Sequence, residues 1–162
     1  MGTGKSSVGP IIARMMRKDF VELDMEIEKA AGSTISDIFT LHGEDHFRKI
    51  EKEILRRALE RENVVLSCGG GAIIDIQNRR LLKKKSIVVW LDASAEVIAE
   101  RLKDDGSRPL LADNSKESIV NLLEKRLELY REASEIRVQT DDLDINQVAL
   151  YIAEKIGANY DI

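Results

Sequence analysis

The sequence predicts a parallel α/β fold, a sheet covered by helices on both faces in three layers. Short β-branched runs alternate with longer amphipathic stretches along the chain, the pattern of βαβ crossovers. Glycines punctuate the alternation at Gly32, Gly43, Gly69 to Gly71 and Gly106. The chain also opens MGTGKSS, a glycine-rich start that leads straight into a helical pattern. With 162 residues, 43% of them hydrophobic, there is enough apolar material for one core, so a single domain over 1–162 is expected.

Taken in order, the first helical stretch covers 5–17, where Val8, Ile11, Ile12, Met15 and Met16 recur at helical spacing. Pro10 removes a hydrogen bond inside it and predicts a bend. Phe20 to Leu23 reads as the first strand, followed by a helical stretch at 44–61 and a β-branched strand from Val64 to Ser67. A helix at 75–84, a strand from Ile87 to Leu91 and a helix at 94–103 continue the alternation. Helices at 116–132 and 144–156 flank a last strand from Ile136 to Thr140. Asp104 to Ser115 gathers turn formers around an arginine and reads as a mobile lid loop, about 104–115.

Composition narrows the function classes. Charged residues make up 33% and the net charge is −4 with both signs interleaved, a solvated surface rather than a nucleic-acid footprint. Three Phe, three Tyr and one Trp are too few for base-stacking platforms. No apolar run approaches the roughly 18 residues that span a bilayer, and no export signal is visible. The single cysteine, Cys68, has no internal partner, so a reducing, cytoplasmic setting is expected.

Gly4, Lys5 and Ser6 form the G-K-S end of a phosphate-binding loop, whose full pattern is G-x-x-x-x-G-K-[ST]. Gly2 and Gly4 let the backbone approach phosphates, Lys5 can reach the β- and γ-phosphates of ATP, and the Ser6 hydroxyl suits Mg²⁺. The first glycine of the pattern would precede Met1, and so would the strand that launches such a loop. Glu22 and Asp24 stand two apart; in a strand both would face one site, and otherwise they are acids starting a helix. Gly69 to Gly71 offer bare amides to a hydroxyl or carboxylate. Cys68 has no cationic neighbour in sequence and reads as a packed residue, not a nucleophile. Arg48, Arg101, Arg108 and Arg126 together supply what phosphates plus a small carboxylate require, although each alone is more often a surface charge. His42 and His46 have helical chelate spacing, with Gly43 between them and no evident third ligand.

The segments G-T-G-K-S, E-L-D-M-E-I-E, G-S-T-I-S-D-I-F, G-E-D-H-F-R-K-I-E, G-G-G-A, R-P-L-L-A and K-R-L-E-L-Y-R, in that order, resemble shikimate kinase over essentially the whole chain. That resemblance implies a nucleoside-monophosphate-kinase-like fold and transfer of the ATP γ-phosphoryl group to the 3-hydroxyl of shikimate, in aromatic amino-acid biosynthesis. By resemblance Gly2, Thr3, Gly4, Lys5, Ser6 and Ser7 form the ATP phosphate loop, Ser6 and Glu22 serve Mg²⁺, and Asp24 engages the reacting hydroxyl. Arg48, Gly70 and Arg126 correspond to the shikimate contacts, Arg108 to the lid arginine and Arg101 to the arginine beside adenine. Glu22 replaces the family's usual aspartate. The family's central strand, expected ahead of Gly2, is missing, so a break in the sheet and a true start upstream of Met1 are expected. A small-molecule substrate, no nucleic-acid or membrane partner and a monomer complete the expectation. A gluconate-kinase-like enzyme and a catalytically silent kinase-like binding module are the alternatives.

Overall fold

Alternation of β-branched and amphipathic segments folds as parallel strands joined by helices. A computed structural model describes residues 2–102 and 116–157. The order is α1 (Lys5–Met15), β1 (Asp19–Glu22), α2 (Leu23–Ala31), α3 (Ile35–Ala58), β2 (Val64–Ser67) and α4 (Ile76–Lys85). It continues with β3 (Val89–Asp92), α5 (Ala95–Arg101), α6 (Lys116–Ala133), β4 (Ile136–Gln139) and α7 (Ile145–Ile156). The predicted lid loop lies outside the described residues.

Strands β1 and β2 pair in parallel, Asp19 beside Val64 through Glu22 beside Ser67. Strands β3 and β4 pair likewise, Val89 beside Ile136 through Asp92 beside Gln139. Successive side chains leave a strand on opposite faces, and the core divides accordingly. On one face Val8 and Ile12 of α1 pack with Val138, Val148, Ala149 and Ile152, joined by Val65, Val89 and Leu91. On the other, Leu23, Ile27, Phe47, Ile54 and Leu55 pack with Ile73, Leu82 and Ala133, joined by Leu66 and Cys68. Ile98, Leu102 and Ile119 bind α5 to α6. Gly9 is buried, and the Phe20 ring occupies the space that a Cβ there would take, so α1 closes tightly on β1.

The expected break is present. Among the described residues β2 and β3 do not pair, and their facing edges line an apolar slot of about 1000 Å³. Each unpaired backbone group, if kept dry, costs on the order of 1–3 kcal/mol. The two half-sheets are therefore held together by helices, with α1 packed on β2 and α7, and α6 on α4 and α5.

Three expectations need correction. Leu23–Ala31 is helical, and helix α3 begins at Ile35 rather than at 44. Thr34 caps α3 by accepting from the Asp37 N–H at 3.1 Å, and the helix breaks at Gly43 (φ 77°, ψ 174°) before resuming. The third strand starts two residues later than predicted because its register with β4 begins at Val89.

Fusing about ten residues that form an apolar strand ahead of Met1 should fill the slot and raise Tm by roughly 10 °C, a few kcal/mol at this size. Calorimetry with hydrogen exchange at Val64–Ser67 and Val89–Asp92 checks this. An unchanged Tm with unprotected amides would show that the slot does not accept a strand.

Candidate functional site

Within each pair the strands are parallel, and Cys68 after β2 and Thr140 after β4 both come up to the phosphate loop, so the carboxyl ends open on a common edge, where open α/β sheets collect ligands. One half of the site there is built from backbone. Gly4, at φ 90°, is the N-cap of α1, a left-handed conformation that favours glycine. Its carbonyl accepts from the N–H groups of Ser7 at 3.1 Å and Val8 at 2.9 Å. The first-turn amides of α1 are then presented beyond the helix end, an arrangement suited to anions. Gly2 to Val8 line a pocket of about 360 Å³ with Arg101, Leu102, Thr140 and Leu143. Arg101 braces this loop, donating to the Gly2 carbonyl at 3.2 Å and the Thr140 carbonyl at 3.1 Å.

The Ser6 hydroxyl donates to the Glu22 carboxylate across the mouth of β1. These are two hard oxygen donors side by side, and among the described residues no cluster of three His, Cys, Asp or Glu could enclose a metal. Such a pair suits Mg²⁺, which keeps waters and takes phosphate oxygens in place of a full protein cage.

The other half is the acceptor side. Gly69 to Gly71 turn sharply after β2, with the Ala72 N–H donating to Gly69 O at 3.1 Å and Ile74 N–H to Gly71 O at 3.0 Å. A Cβ on Gly69 would lie 3.0 Å from Asp24 Oδ1, and one on Gly71 would lie 2.6 Å from both terminal nitrogens of Arg48. Asp24 and Arg48 therefore close directly onto bare backbone. Glu22 ends β1 and Asp24 lies in the first turn of α2, so the predicted strand spacing does not align them. The helix starts at Leu23 with no intervening turn, which sends Glu22 toward Ser6 and Asp24 toward Gly69.

Arg48 donates from Nη1 to Glu51 Oε2 at 2.7 Å and from Nη2 to Glu44 Oε1 at 2.9 Å. Glu51 is only 2% exposed, and burial pushes its carboxyl above the ordinary range although Arg48 opposes this. Asp24 repels and Arg126 attracts the same carboxylate, so Arg48, Asp24 and Arg126 all lie within electrostatic reach of Glu51. The sequence reading missed Glu51; its spacing of three from Arg48 on a helix was the available signal.

Cys68 faces the slot rather than open water, and burial pushes its thiol up to about 12, as suits a packed residue. Its thiol also feels Lys5, Glu51 and Asp24, so the phosphate loop and the acceptor cluster are neighbours. His42 and His46 approach to 4.9 Å between ring centroids without a third ligand among the described residues. Arg108 lies outside the described residues.

The family described as Shikimate kinase matches residues 1–157. Among relatives, the chain is 43% identical to the shikimate kinase of Persephonella marina, covering 96% of this chain and 94% of that one. It is 42% identical to that of Thermodesulfovibrio yellowstonii over 99% of this chain and 91% of the relative. Among solved structures, shikimate kinase from Acinetobacter baumannii in complex with shikimate superposes with a TM-score of 0.93 at 37% identity, covering 96% of this chain and 88% of that one.

The buried carboxyl of Glu51 yields a pH prediction. An acid whose folded pKa is raised favours folding fully below its unfolded pKa and loses that contribution as pH rises through the folded value. Tm of the wild type should therefore fall relative to Glu51→Gln as pH rises above the ordinary carboxylate range. A pH-independent gap between the two melting curves would show no net burial penalty on Glu51.

Proposed function

The chain belongs to the shikimate kinase family, and we propose that the two half-sites perform transfer of the ATP γ-phosphoryl group to the shikimate 3-hydroxyl. The observation that carries this is the closure of Asp24 and Arg48 on Gly69 to Gly71, beside a phosphate loop. The product is shikimate 3-phosphate, on the way to chorismate and the aromatic amino acids.

The amides of Gly2, Thr3 and Gly4 and the Ser7 hydroxyl cradle the nucleotide phosphates, and Lys5 neutralises charge on the β- and γ-phosphates. Arg101, at the rim of the same pocket, flanks the adenine. Ser6 and Glu22 hold Mg²⁺, which when bound offsets the charge of the phosphates. On the acceptor side Arg48 and Arg126 share the substrate carboxylate. Arg48 uses three of its five N–H donors on Glu44 and Glu51, leaving two for a ligand. A backbone amide at Gly70 meets the substrate hydroxyls, and Asp24 orients the reacting hydroxyl and takes its proton late, since a loose transition state asks little of a strong base. Arg108 supplies a cation to the transferring phosphoryl group, by resemblance to the family. One chain supplies every residue named, as a monomer requires. Among the described residues no helix is long and apolar enough to cross a membrane, and a cytoplasmic location gives access to ATP.

Titration calorimetry with shikimate, followed by coupled ADP release, separates this reading from a gluconate-kinase-like enzyme and from a silent binder. Lys5→Met should nearly abolish phosphoryl transfer while shikimate binding persists. Truncating Arg48 or Arg126 should weaken shikimate binding by about 2–5 kcal/mol, non-additively because they serve one group. Normal binding by the double mutant would rule out shikimate as the acceptor. Asp24→Asn should depress turnover far more than ATP affinity, and equal losses in both would make Asp24 structural.

A further inference from the structure

The glycine turn needs an orientation as well as a lack of side chains. Two of its carbonyls are satisfied within the turn itself, by the Ala72 and Ile74 amides. The third is held from outside, since the Tyr130 hydroxyl donates to Gly70 O at 2.8 Å. A trans peptide is planar with its C=O and the next N–H pointing in opposite directions, and no described peptide is cis. Holding Gly70 O toward Tyr130 therefore aims the Gly71 N–H away from Tyr130.

Tyr130 is itself fixed. Its ring stacks on Trp90 of β3, with centroids 5.6 Å apart and planes 20° from parallel, and Arg137 lies over Trp90 at 4.7 Å. Arg126, one turn earlier on α6, lies close enough for its charge to act on the same hydroxyl. Burial raises the phenol above its ordinary value despite Arg126, so it remains a protonated donor at working pH.

We propose that Tyr130 is a positioning residue for acceptor recognition, its hydroxyl locking the Gly70–Gly71 peptide plane. That one bond sets the direction of a backbone donor in the turn on which Asp24 and Arg48 close. A flipped plane would present the Gly70 carbonyl where the Gly71 N–H stands and would remove a donor for the acceptor's hydroxyls. This inference rests on the acceptor-site reading given above.

Tyr130→Phe deletes the hydroxyl and keeps the ring that stacks on Trp90. Shikimate Kd and KM should rise about tenfold, while kcat and the KM for ATP stay within about twofold, the split expected when ground-state binding alone is lost. A purely packing role would leave shikimate affinity unchanged or lower kcat and both affinities together, and either result overturns the proposal. A second measurement needs no ligand. In ¹⁵N-labelled free protein the Gly70 and Gly71 amide signals should shift or broaden in Tyr130→Phe, with the Trp90 indole signal unmoved; unaltered glycine amides overturn the locking role. Wild-type protein that fails to bind shikimate would count against the family's substrate here, and the amide signals would still decide the role of Tyr130.

Discussion

The acceptor half of the site depends on one steric constraint, the bare backbone of Gly69 to Gly71. Asp24 and Arg48 come so close to it that a methyl group on Gly69 or Gly71 would have to displace them. The glycines thus act as the wall against which a carboxylate and a guanidinium are set. Arg48 is held from the opposite side by Glu51, whose burial would be costly for an unpaired carboxylate and is offset in part here by the ion pair. Glycine on one side and a buried acid on the other leave the guanidinium little freedom.

Parallel pairing of β1 with β2 explains why this wall and the phosphate loop meet, since both strands deliver their carboxyl ends to the same edge. The slot between β2 and β3 passes directly beneath, and Thr3, Lys5, Cys68 and Gly69 contribute to its lining. No strand ladder among the described residues crosses from one half-sheet to the other, so the distance between the two half-sheets is set by helix packing. Helix α1 is central to this arrangement because its first turn carries the phosphate loop and its buried face touches both halves. Tyr130 contributes from the other side, joining the glycine turn after β2 to Trp90 on β3.

Much of this was legible in the sequence. The strands announce themselves by β-branched content, and G-K-S before a helical pattern marks the phosphate loop. Helix α2 was hidden because Glu22 is both the last residue of β1 and the N-cap of α2, with no capping side chain and no turn residue to mark the change. The first part of α3 was hidden differently: Gly43 does break the helix, yet the segment before it is helical and carries a Thr34–Asp37 cap. Glu51 and Tyr130 escaped notice because their roles come from tertiary approach. In sequence Glu51 looks like half of a surface ion pair and Tyr130 like one more apolar position on a helix, until burial and the Gly70 carbonyl give them partners.

The charge balance around the glycine turn follows from the same burial. Arg48 and Arg126 face Asp24, Glu44 and Glu51, which with all three acids ionised would leave a poor home for an incoming carboxylate. Glu44 is about half exposed, at 47%, so water screens much of its effect. Glu51 cannot be screened in that way, but burial makes its ionised form less favourable, and a second anion nearby would push in the same direction. The buried acid can therefore hold Arg48 in place while opposing an acidic ligand less than a fixed negative charge would. Positioning and charge balance are both served by placing the carboxyl under the guanidinium rather than beside the ligand.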